Sequence, residues 1–274
     1  DFTARQALAA PVTYTSVPNT WDNTVVGNEK LDGYGYATYR LTIKVPESSD
    51  VIALHVPTIF SAHKMWVNGK LIHEEGVVGK SAEESIPRYY TKVIPLKPIN
   101  GQIELVIQVA NFLHYRGGIW ESVWLGSYDR LINDYERSVL FDLGTLGVLF
   151  SMGLLHTIFY FIRKQEKAAL YFGAFCLLFS VRTLVAGNIL LARFADSFSQ
   201  EIILKIEYLV IYLGFAMYAG FVNSLFPATM PRLGWRIILG VSLAESLLVV
   251  MTPARIFSQM LLPYQMFMVL SILG

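Results

Sequence analysis

Apolar and polar positions change rhythm once along the 274 residues, near residue 127. Before that point apolar residues recur at every second position in short runs, the spacing of strands with one face in a core and the other in water. The run 37–45 sets Tyr39, Leu41, Ile43 and Val45 against Arg40, Thr42 and Lys44, so the first row is expected in a core. Further strands are predicted over 51–56, 58–67, 70–72, 103–109 and 119–125. Asn68-Gly69 joins two of them, and both residues tolerate the positive φ of a type I′ hairpin turn. Pro46, Pro57, Pro87, Pro95 and Pro98 fall at run edges, where a missing N–H does least harm to a ladder. Together these runs predict an all-β sandwich over 35–126.

Beyond it the alternation gives way to long apolar segments. The stretch 139–162 holds one carboxylate, Asp142, and one histidine, His156, in 24 residues. About 20 apolar residues suffice for a helix to cross a bilayer core of roughly 30 Å. Similar segments over 168–192, 202–226, 234–251 and 256–273 make five predicted spans within 139–274. The polar stretch 128–138 carries too few apolar residues to enter a bilayer and reads as a connector between the halves. Arg163, Lys164 and Lys167 follow the first span and Arg232 and Arg236 the third. Arg193 and Arg255, with Lys205 if it is counted, mark the other side. Cytoplasmic loops carry the excess of Lys and Arg. The expectation is a multi-pass plasma-membrane protein whose N-terminal domain is extracellular.

Composition fits this division. A mean hydropathy of +0.44 with 54% hydrophobic and 16% charged residues is too apolar for a soluble domain. Of the 43 charged residues, 23 lie in the first 126. A net charge of +1 without a basic run speaks against a nucleic-acid partner. Cys176 is the sole cysteine, which excludes a disulfide framework and a cysteine metal site. The chain opens at Asp1 without the basic and apolar regions of an export signal, so export implies a signal removed ahead of it. The last segment stops at Gly274 without a basic flank, which reads as truncation.

Two groups of residues are candidates for chemistry. Arg88 and Tyr89 in the long loop 73–90, and His114, Tyr115 and Arg116 before Gly117-Gly118, crowd aromatic rings and cations into loops of the sandwich. Sugar rings stack on aromatic faces and their hydroxyls take charged hydrogen bonds, so these five are the candidate ligand-binding residues. The plainer reading makes them covers for a sandwich edge. Within the spans, Asp142, Arg182, Glu207 and Glu245 form a candidate polar cluster, because an isolated charge at mid-bilayer costs a few kcal/mol. Arg182 stands ten residues from the predicted outer end of its span, too deep to reach water, and Glu207 is its expected partner. The plainer reading places Asp142 and Glu207 near enough to the interface to be wetted. No metal motif, nucleophile elbow, phosphate loop or kinase signature occurs, so neither enzyme activity, a cofactor nor a metal is expected.

The order ATYRLTIKVP, ALHVPTIFSAHKMWVNGKLI, IELVIQVAN and GGIWESVWLG resembles the sugar-binding jelly roll at the front of bacterial β-galactosidases and β-glucuronidases, over about 19–127, which implies a domain with those bounds behind an N-terminal extension of 1–18. In those enzymes this domain carries no catalytic residues. Trp66, Asn68, Gly69 and Trp124 of these motifs read as hairpin and packing residues. The pattern MGLLHTIFYFIRKQEKAALYFGAFCLLFSVRTL, with Leu170-Tyr171-Phe172-Gly173 and Val181-Arg182-Thr183, resembles the bacterial seven-transmembrane receptors that have diverse intracellular signalling modules. That resemblance covers about 131–274, five of seven spans. It implies a sensor with an extracellular jelly roll, a small-molecule or glycan ligand, a cytoplasmic output module outside this chain, the bilayer as a partner, and a homodimer among its candidate assemblies. The competing class is an accessory or structural membrane protein whose sandwich binds another cell-surface protein. A transporter is disfavoured because its matched Gly/Pro-broken helices are missing.

Overall fold

The computed structural model describes residues 13–26, 29–46, 51–59, 61–88, 90–188, 191, 199–227 and 232–273. The chain divides into two compact units between Arg137 and Ser138.

The first unit is β-rich. Its strands are β1 (Asn19–Thr20), β2 (Val25–Val26), β3 (Glu29–Lys30), β4 (Gly35–Lys44), β5 (Ile52–Val56), β6 (Ala62–Val67), β7 (Lys70–Glu75), β8 (Lys92–Leu96), β9 (Gln102–Asn111), β10 (Gly118–Ile119) and β11 (Trp124–Ser127). A four-stranded antiparallel sheet has the order β4-β9-β6-β7 and a three-stranded one the order β11-β5-β8. Their facing rows share one core: Leu54, Val56, Ile94 and Leu96 from the smaller sheet meet Met65, Val67, Ile103, Leu105, Ile107 and Val109 from the larger. The β6–β7 turn has Asn68 at φ 50° and Gly69 at φ 78°, as the dipeptide predicts. Asn68 also exchanges bonds with the Glu104 backbone through its own N–H and its Oδ1, each at 2.9 Å, which extends the ladder past the strand end. Outward rows are tied by the ion pairs Arg40–Glu104 and Lys64–Glu74.

Alternation misplaces two residues. Leu41 lies on the inward row of β4 but is 56% exposed, because β4 is an edge strand and no described residue covers that position. Trp124, read as packing, is 62% exposed on β11, the edge of the smaller sheet. The predicted strand 119–125 is two short strands, with Ile119 and Val123 turned into the core.

Helix α1 runs from Tyr128 to Ile162, so the polar connector is helical and continuous with the first predicted span. At about 1.5 Å per residue its 35 residues extend roughly 52 Å, well beyond a bilayer core. Its first turns pack in the β-rich unit: Leu131 lies against Gly126, and the buried Tyr135 ring is 6.4 Å from that of His55.

The second unit is helical: the rest of α1, α2 (Lys167–Val185), α3 (Gln200–Leu225), α4 (Arg232–Met251), α5 (Ala254–Phe257) and α6 (Leu261–Leu273), with a 3₁₀ turn at Ser258–Met260. Small residues set the close approaches, as is common for helices packing in lipid. Gly173 is against Thr157, Gly214 against Phe179, and Gly220 against Tyr171 and Trp235. Helix α3 is the most enclosed, and Tyr208, Tyr212, Phe215, Phe257 and Tyr264 interlock edge to face around it. Among the described residues, four helices are long and apolar enough to span a membrane. The fifth predicted span, 256–273, is instead broken into α5, the 3₁₀ turn and the 13-residue α6. Pro263 accounts for the break, since it has no N–H to bond one turn back and its ring crowds the carbonyl there.

Candidate functional site

The loops at one end of the larger sheet are built around Asn111, the last residue of β9. Its amide nitrogen lies 2.8 Å from the Gly33 carbonyl, 2.7 Å from that of His114 and 3.1 Å from that of Arg116. Its Oδ1 accepts from the His114 N–H at 3.1 Å. One buried side chain thus ties the β3–β4 connection to the β9–β10 loop. Trp21 adds a second tie, donating from Nε1 to the same Gly33 carbonyl at 3.0 Å and from its backbone N–H to Gly117. The approach is so close that a Cβ on Gly33 would sit 1.9 Å from the Tyr115 carbonyl oxygen, and one on Gly117 2.3 Å from the Trp21 ring.

On this frame the predicted loop residues form an aromatic and cationic surface. The buried His114 ring is tilted against Tyr115 at 4.8 Å and meets Trp120 edge-on at 4.7 Å. The exposed Arg116 guanidinium sits 5.0 Å over the Tyr115 ring, a cation–π contact that orients it outward. Burial pushes His114 down to about 4, so it carries no charge at neutral pH. Asp22 adds a carboxylate whose Oδ1 is buried without a hydrogen-bond partner among the described residues. Half-buried rings, a guanidinium and a carboxylate together can stack on an apolar ring face and exchange charged hydrogen bonds with hydroxyls.

Arg88 is half-buried in the loop 76–91. That loop leaves β7 after Glu75, which is opposite His63, and His63 is opposite Val109 near the end of β9. Strand register therefore puts it at the same end of the sheet as the His114 loop. Tyr89 lies outside the described residues.

In the helical unit, Arg182 Nη2 is 3.8 Å from Glu207 Oε1. Helix α2 ends at Val185, however, so Arg182 stands in its last turn and not ten residues from an end, and its side chain is 39% exposed. The apolar composition of 186–192 had extended the predicted span; Gly187, at φ 65°, follows directly on the helix end. Asp142 is apart from that pair and accepts from Asn188 Nδ2 at 2.7 Å, while Ser138 takes a second bond from the same amide. Glu245 lies toward Tyr212 and Tyr264, and its Oε2 has no hydrogen-bond partner among the described residues. The four residues are thus three local arrangements. Lys205 pairs with Glu201 at 3.6 Å, as their spacing allows.

Sequence reasoning missed Asn111, Trp21 and Asp22, which stand far apart in the chain and belong to no motif. One signal was available: an Asn ending a strand, three residues before a loop His, is a common way for a side chain to bond nearby backbone.

The family described as 7TM diverse intracellular signalling matches residues 138–274, half of the chain. Among solved structures, the β-rich part is similar to a putative β-galactosidase from Bacteroides fragilis, at 20% identity and TM-score 0.30, over 40% of this chain and 18% of that one. It is also similar to β-glucuronidase from Ruminococcus gnavus, at 13% identity and TM-score 0.32, over 40% and 22%. A glycosyl hydrolase family 2 member from Bacteroides cellulosilyticus shows 14% identity and TM-score 0.32, over 40% and 16%. The match spans about a fifth of those chains. No curated protein matches the chain.

Proposed function

The chain belongs to the 7TM diverse intracellular signalling family, and from that premise we propose that it is a sensor that binds a carbohydrate-like ligand outside the cell and signals inward. In this reading 19–127 is a jelly-roll ectodomain, 128–138 the connector, and 139–274 five of seven spans, the fifth being the irregular helical run of α5, the 3₁₀ turn and α6. The bundle passes the occupied state to a cytoplasmic module outside this chain, in a homodimer. The observation that carries the ligand reading is the surface of Tyr115, Trp120 and Arg116, held in place by the Asn111 hub. A structural cover would need neither an exposed guanidinium stacked on a ring nor so many bonds to fix its backbone. Glu207 and Arg182 would tie α2 to α3 on the outer side of the bundle.

A second reading, in which the sandwich docks another cell-surface protein, draws on Trp124 and Leu125, exposed by 62% and 37% on the edge strand β11. Glycan-array binding by the detergent-solubilised chain separates the two. The ligand reading expects saturable binding that falls at least tenfold in Tyr115→Ala/Arg116→Ala. Undiminished affinity in that variant places the site elsewhere. Absence of glycan binding in the parent favours the protein-docking reading.

A further inference from the structure

The sandwich interior is apolar along most of its length, but its end beneath the loops holds three ionisable groups on two neighbouring strands. His63, on β6, is fully buried; its Nδ1 lies 3.4 Å from the Ser61 carbonyl, and its Nε2 has no hydrogen-bond partner among the described residues. Glu75, on β7, is its register partner, and His73 stands opposite Met65, two residues along β6. The two imidazole rings are 5.4 Å apart, and His73 Nε2 is 3.5 Å from Glu75 Oε1. Both side chains of that last pair are less than 5% exposed. From β8 the charge acting on His73 is Lys92. From β9, the residues paired with this end of β6 are the uncharged Val109 and Ala110. Lys64 and Glu74 bond to each other on the opposite face.

We propose that this cluster makes β7 and the loop residues that follow it, 76–88, a proton-operated flap: protons taken up by His63 and His73 release the edge strand while the rest of the sandwich stays folded. The proposal does not depend on what the loops bind. Neutral imidazoles suit a dry site, whereas two imidazolium groups 5.4 Å apart, beside Lys92, have Glu75 as the one carboxylate at the cluster among the described residues. Strand β7 is the edge of its sheet, so it can leave by breaking the β6–β7 ladder alone. The loop behind it carries Arg88 and closes through the Val77–Ile86 bridge, so the flap moves one of the candidate binding loops.

Burial holds His63 at about 3 and His73 at about 4 in the closed form. When β7 leaves, His73 goes with it into water and His63, left on β6, loses its cover, so both return to about 6.5. Because the closed-form values lie below the open-form ones, closure is fully favoured above about pH 6.5 and weakens as pH falls from there. At pH 5 each released imidazole shifts the equilibrium toward the open form by roughly 30-fold.

Hydrogen exchange read by mass spectrometry tests this on the full chain in detergent micelles, at pH 7.5 and 5.0, with rates corrected for the intrinsic pH dependence of amide exchange. Protection of 70–75 is expected to fall by at least 30-fold at pH 5.0 while β4 and β9 keep theirs. In His73→Gln the fall shrinks by roughly 30-fold, and in His63→Gln/His73→Gln it vanishes. The single variant serves alone if the double one does not fold. An unchanged 70–75, a loss shared equally by β4 and β9, or a full-sized fall in the variants each overturns the flap.

Discussion

Replacing Asn111 probes the frame of the loop surface directly. In Asn111→Ala the carbonyls of Gly33, His114 and Arg116 and the His114 N–H lose their shared partner in a place where Asn111 itself is 1% exposed. A hydrogen bond contributes about 0.5–1.5 kcal/mol net, and a buried group left unpaired costs about 1–3 kcal/mol. Arg116 is exposed, so its carbonyl can turn to water, and the Gly33 carbonyl keeps Trp21 Nε1; the carbonyl and N–H of His114 are left, and the expected loss is roughly 3 kcal/mol. For a unit of this size that lowers Tm by about 10 °C. Asn111→Asp keeps the shape but presents a carboxylate, which has no N–H, to three carbonyl oxygens. It should be at least as damaging as the alanine. Tryptophan fluorescence during thermal unfolding reads this well, since Trp21, Trp66, Trp120 and Trp124 lie in the β-rich unit and only Trp235 lies beyond it. Near-parental melting of Asn111→Ala, or a clearly more stable Asn111→Asp, would refute the hub.

Gly33→Ala should destabilise the β-rich unit by more than about 2 kcal/mol, because the new methyl meets the Tyr115 carbonyl at 1.9 Å and that segment is fixed by Asn111; thermal melting within 2 °C of the parent would show that the loop yields freely. Arg182→Ala or Glu207→Gln should lower stability in micelles by only about 1 kcal/mol, since a pair at 3.8 Å with a 39% exposed guanidinium is partly screened. A loss on the order of 3–5 kcal/mol, as for a fully buried pair, would mean that water does not reach Arg182.

The sequence by itself determined what depends on local periodicity and on spacing. Period-two alternation located β4, β5, β6, β9 and the start of β7, though not β8, Asn68-Gly69 marked the hairpin, and apolar length marked four long helices, because each is set by residues adjacent along the chain. The loop residues 114–116 were legible as a crowded aromatic and basic triplet. Their support was not: Trp21, Gly33 and Asn111 meet only because β9 runs beside β4, and a hydrogen bond between residues 78 apart leaves no trace in local pattern. Exposure at edges was equally hidden: Leu41 alternates correctly and is exposed because β4 stands at a sheet margin, while Trp124 follows the inward Val123 and is exposed on the edge strand β11. The depth of Arg182 was misjudged because hydropathy alone does not mark the end of α2 at Val185, where the apolar composition simply continues. The His63–His73–Glu75 cluster shows the same limit: the predicted strand ends at Ile72 and leaves His73 and Glu75 to a loop, and which charges share the inner face depends on strand order and register, which the folded sheet alone decides.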